Sequence, residues 1–133
     1  MRGSGVKVEV GEAIEELKRA FPSSELTVRE DGEGGAHVVV ESVAIGARYE
    51  PGQSWLGGHI PAQYPYADIY PVFMDAAVQR RDGKAFEAPV TAGHEFCERP
   101  AIQISRRTNR IQNSGQTVVA KFLKIVDFLE NVP

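Results

Sequence analysis

The spacing of apolar residues changes character along the chain. In GEAIEELKRAFP, Ile14, Leu17 and Phe21 recur at helical intervals, acidic residues come early, basic residues come late, and Pro22 follows as a stop. This predicts one short amphipathic helix after VKVEV. SELTVRE alternates around Leu26 and Val28, DGEGG has the composition of a turn, and AHVVVESVAIGARYE is rich in β-branched residues with stretches of two-residue periodicity. A further strand is predicted around Trp55 to Ile60 and another in ADIYPVFMD, where Pro71 calls for an edge position or a bulge. The chain closes with SGQTVVAKFLKIVDFLENVP, in which Val118, Phe122, Ile125 and Leu129 form one apolar stripe flanked by Val119 and Val126. Ser114 is the expected cap of that helix. Together these segments predict an α+β domain: an N-terminal helix, a four-stranded antiparallel meander, a long loop and a C-terminal helix packed on the sheet.

Between Asp75 and Asn113 no period is sustained, and turn residues alternate with scattered charge. The expectation is a long irregular loop, and such loops often carry function. This one holds the only cysteine, Cys97, within GHEFCERPAIQISRRTN. A chain of 133 residues with 42% hydrophobic and 25% charged residues is one ordinary globular domain, expected over residues 5 to 133 once MRGS, read as an appended leader over residues 1 to 4, is set aside. The net charge of -3 provides no basic surplus for nucleic acid. No apolar run approaches a membrane span, and a single cysteine forms no internal disulfide, so a cytoplasmic protein with neither nucleic-acid nor membrane partner is expected.

A free cysteine usually behaves as a small buried hydrophobe. Here its neighbours are Glu95, Phe96, Glu98, Arg99 and Pro100, a polar setting that favours a nucleophile. His94 is placed to lower the thiol pKa or to act as its base, provided it lies close in space. The charged run SRRTNR reads either as a solvated loop or as a docking surface and donor set, with Ser105, Thr108 and Asn109 as candidate donors to an oxyanion. His37, His59, His94 and Cys97 show no paired ligand spacing, so no metal site and no cofactor are expected. A cysteine hydrolase pairing Cys97 with His94 or His59 lacks an identifiable orienting group. The tyrosines Tyr64, Tyr66 and Tyr70, with Phe73, read as packing.

Residues Ile60 to Asp75, IPAQYPYADIYPVFMD, resemble the segment of ubiquitin-conjugating enzymes in which a proline, two spacers and a Tyr-Pro pair precede a strand leading to the active-site loop. Pro61, Tyr64 and Pro65 occupy those places. The order of elements over residues 10 to 131 is similar as well, in particular to the prokaryotic ubiquitin-conjugating-like proteins encoded beside an activating enzyme, a ubiquitin-like protein and a deubiquitinase-type metalloprotease. The resemblance implies the ubiquitin-conjugating fold. It also implies that Cys97 accepts a ubiquitin-like protein as a thioester from an activating enzyme and passes it to an amine acceptor. Tyr64, Pro65, Ser105, Arg106 and Thr108 would then border the site, in a setting of antiviral defence. Two features differ from the eukaryotic pattern. No His-Pro-Asn triplet lies between Asp75 and Cys97, His94 being too close to the cysteine and Asn109 following it, and the chain has one terminal helix only. The alternative the resemblance leaves open is an inactive module of the same fold that binds a ubiquitin-like protein or an activating enzyme non-covalently.

Overall fold

The N-terminal apolar stripe forms a helix longer than its sequence signals suggest. In a computed structural model, which describes residues 5–107 and 117–132, α1 spans Val8–Ala20 and buries Val10, Ala13, Ile14 and Leu17. It ends where Phe21 donates its backbone N–H to the Leu17 carbonyl and Pro22 prevents continuation. The strands β1 (Leu26–Glu30) and β2 (Ala36–Ala44) follow, joined through the predicted DGEGG turn. There Asp31 Oδ1 accepts the N–H groups of Glu33 and Gly35. A short β3 (Tyr49–Glu50), β4 (Gln53–Ile60) and β5 (Val72–Asp75) come next. β1, β2, β4 and β5 are successive antiparallel neighbours, as a meander requires.

Two expectations are corrected. Pro71 does not force β5 to an edge: the strand begins at Val72, after the proline, so the missing N–H lies outside the ladder and β5 sits between β4 and β8. The segment after Asp75 is also not one long loop. It contains β6 (Gln79–Arg80), paired with β3, and a hairpin of β7 (Val90–Phe96) and β8 (Arg99–Ile104) that enlarges the meander to a six-stranded sheet in the order β1-β2-β4-β5-β8-β7. A register shift between Thr91 and His94, with Gly93 at φ 86°, breaks the alternation by which β7 would have been recognised.

The last helix, α2 (Val118–Glu130), is capped by Thr117, whose side chain accepts the Ala120 N–H at 3.0 Å. The cap is therefore not Ser114, which lies outside the described residues. Both helices lie on one face of the sheet. Val10, Leu17, Phe122, Ile125 and Leu129 meet Val38, Val40, Leu56, Met74, Ile102 and Ile104 there. Alternate residues of the same strands face the other way, and Val39, Trp55 and Ala101 form a second, smaller cluster with Phe96, joined by Phe73 and Cys97. No helix among the described residues covers that second face, and the tip of the β7–β8 hairpin lies on it instead.

Candidate active-site turn

Phe96 pairs with Arg99 across the hairpin, so Cys97 and Glu98 are its two-residue turn. Both have positive φ, 51° and 65°, as a type I′ turn demands. Asn-Gly suits that geometry; a cysteine followed by a glutamate does not, and the left-handed conformation costs roughly 1–2 kcal/mol per residue. The surroundings hold the turn in place. Arg99 donates from both terminal nitrogens to Glu41 of β2 at 2.8 and 2.7 Å, and its guanidinium lies 5.5 Å from the centre of the Trp55 ring. Arg29 of β1 donates to Glu98 at 3.3 Å. The Phe96 ring stacks on Phe73 at 4.8 Å and lies over Gly57, where any side chain would collide with it. The hairpin tip thus reaches back over the sheet to strands far from it in the sheet order.

The thiol is half-buried, and burial pushes its pKa up from 9.0; Arg29 and Arg99 pull it back down. At neutral pH Cys97 is therefore a protonated thiol flanked by two guanidinium groups. Of these, Arg99 is fully engaged by Glu41, whereas Arg29 makes an exposed and weak ion pair.

Beside this turn lies a histidine pair with no spacing signal in the sequence. His37 stands opposite Arg29 on one side and His59 on the other, and the two imidazoles stack at 4.6 Å. His59 Nε2 hydrogen-bonds Asp31 Oδ2 at 2.6 Å. That bond, with the backbone donors of Glu33 and Gly35, holds the Asp31 carboxyl down to about 2. His37 Nδ1 is buried with no hydrogen-bond partner, and the ring meets Phe96 edge-on at 5.8 Å. Symmetrical pairing about the DGEGG turn would have placed Arg29 opposite His37. The encounter of His37 with His59 depends on the β2–β4 register, which a bulge between Val40 and Val43 obscures. Among the described residues, no group of three or more His, Cys, Asp or Glu side chains could hold a metal ion.

The structure separates the residues singled out by sequence into two groups. His94 Nε2 hydrogen-bonds the Thr91 hydroxyl at 2.9 Å, and the charges that bear on the thiol are those of Arg29, Arg99 and Glu98. Ser105 and Arg106 follow the far end of β8, about 20 Å along the strand from the Cys97 turn at ~3.3 Å per residue, and α2 links Tyr64, which precedes Pro65, to Arg106. The buried Tyr64 hydroxyl accepts the Val118 N–H at 3.1 Å, and the Arg106 carbonyl accepts from the buried Lys121 Nζ at 2.7 Å, so both residues fix the start of α2. Lys121 also pairs with Asp68 at 3.1 Å. The Ser105 hydroxyl accepts from the Gln103 amide, and the Arg106 guanidinium lies on the Phe128 ring. Thr108 and Asn109 lie outside the described residues. No helix of the described residues is long and apolar enough to cross a membrane. Compared with protein-family models, curated proteins and solved structures, the chain matches none of them.

Proposed function

We propose that this protein is an acyl carrier of the ubiquitin-conjugating type, in which Cys97 accepts the C-terminal carboxyl group of a ubiquitin-like protein and passes it to an amine. One observation carries the reading: a lone, half-buried cysteine occupies a turn position that disfavours it, held there by the packing of Phe96 before it and by the ion pairs of Glu98 and Arg99 after it. Residues kept in unfavourable backbone regions concentrate at functional sites. The resemblance of Ile60 to Asp75 to the conjugating-enzyme segment adds the substrate class.

In the charging step, the Cys97 S–H gives its proton to a base on the donor complex. A new S–C bond then forms as the donor thioester's S–C bond breaks, and the donor thiolate recovers a proton. In the discharge step an amine attacks the same carbonyl, a C–N bond forms, the S–C bond breaks, and the proton the amine gives up ends on the Cys97 thiolate. Because burial keeps the resting thiol protonated, the charging step requires a base to take its proton. Arg29, weakly paired and the charge that most favours the thiolate, is the group among the described residues suited to the developing oxyanion.

Incubation with the cognate activating enzyme, ubiquitin-like protein and ATP tests the reading on a non-reducing gel. An adduct that thiol reductant removes and Cys97→Ala prevents is expected. If a demonstrably charged activating enzyme gives none, the second reading applies: a non-catalytic module that holds the same partners. That reading draws on the raised thiol pKa and on the engagement of His94 by the Thr91 hydroxyl.

A further inference from the structure

The His37 imidazole occupies a position suited to its neutral form only. From β1 the Arg29 guanidinium faces it; from the β1–β2 turn, the Asp31 carboxylate; from β4, the His59 ring; and from β7, the Phe96 ring, at a steep angle to it. Asp31 is the one anion of the four, and it is already occupied by His59 and by two backbone N–H groups. A protonated His37 would carry an N–H at Nδ1, where no acceptor lies within reach. It would also set a full positive charge opposite Arg29. Burial, with the neighbouring His59 and Arg29, accordingly keeps its pKa below 6.5.

Two of the contacts that hold down the Cys97 turn run through this ring's immediate neighbours. Phe96, the residue before Cys97, leans on His37 directly. Arg29, opposite His37 on β1, holds Glu98, the residue after Cys97. We propose that His37 is a proton-operated latch on the Cys97 turn: neutral, it completes the packing that holds the turn against the sheet, and protonated, it repels Arg29, leaves Phe96 and lets the turn lift. The Arg99–Glu41 pair is untouched by this change, so the motion is a hinging of the tip and not an unfolding of the hairpin. The latch stands independently of what Cys97 carries.

The test is the rate at which Cys97 reacts with 4,4′-dithiodipyridine from pH 8 to pH 5, in the wild type and in His37→Phe, which keeps a ring that cannot protonate. Taking the ratio of the two rates at each pH cancels the titration of the thiol itself. The ratio is expected to be constant above pH 7 and to rise toward about tenfold at pH 5 in favour of the wild type. A flat or falling ratio overturns the latch. His37→Gln serves in the same way where the phenylalanine variant does not fold. Far-ultraviolet circular dichroism accompanies each point: loss of the helical signal in step with reactivity would mean that the proton acts on the whole fold, which also overturns the proposal. His59→Gln should retain the rise; if it abolishes the rise while His37→Phe does not, the sensor is His59 and the proposal fails.

Discussion

The Phe96 ring lies on Gly57, so closely that a Cβ on that glycine would come within 2.6 Å of the ring. This contact joins the outermost hairpin to the middle of the sheet. It requires a glycine in β4, although an interior glycine weakens a strand through its entropy. Gly57→Ala is therefore expected to lift the hairpin tip and destabilise the protein by about 1–3 kcal/mol. Urea unfolding measures the loss. The fluorescence of Trp55, the only tryptophan and a neighbour of Phe96 at 6.4 Å, reports the displacement in the folded state.

Glu98 holds a left-handed conformation, φ 65°, that glycine adopts without strain. Its ion pair with Arg29 is exposed and contributes only roughly 0.2–1 kcal/mol. Glu98→Gly should consequently stabilise the protein by up to about 1 kcal/mol, seen as a higher urea midpoint with an unchanged slope. An unchanged or lower midpoint would show that the ion pair outweighs the backbone relief.

The Arg29 guanidinium favours the Cys97 thiolate more than that of Arg99 does, against the upward push of burial. Arg29→Ala should move the thiol pKa still higher, with Arg29→Glu moving it further. The thiolate absorbance near 240 nm, followed through an alkaline titration and compared with Cys97→Ala as blank, gives the shift. If the titration does not move, Arg29 is too far from the sulfur to stabilise charge there.

The Asp31 carboxyl is depressed from 3.8 to about 2 in the folded chain, first by its hydrogen bond to His59 and then by the backbone N–H of Glu33. A group depressed in this way contributes stability that is complete above its unfolded value and is lost as the pH falls through the folded value. The wild type should therefore lose stability between about pH 4 and pH 2, and Asp31→Asn should lose less over the same interval while being less stable at pH 5. Urea midpoints at pH 5 and pH 2.5 check both statements.

Much of this molecule was legible without its structure because much of it is locally encoded. Ile14 and Leu17 lie on one face of α1 because helical spacing puts them there, and Phe122, Ile125 and Leu129 do the same for α2. The DGEGG turn sets β1 against β2, whereas the alternation around Leu26 and Val28 did not assign the inner face of β1, since Val28 is exposed. The lone Cys97 was visible as a candidate by its polar neighbours alone.

Tertiary structure decided everything that depends on register and on curvature of the sheet. The β7–β8 hairpin was hidden because a bulge at Gly93 interrupts its alternation and because Cys97 and Glu98 are poor turn formers, held in place by Arg99–Glu41 and Arg29–Glu98 contacts between residues distant in sequence. The stacking of His37 on His59, the seat of Phe96 on Gly57, and the separation of Ser105 and Arg106 from the cysteine follow from which strands lie side by side. Helical spacing and turn chemistry act between near neighbours and can be read along a chain; strand register and the folding of one hairpin over a sheet are settled by long-range packing, and so appear only in three dimensions.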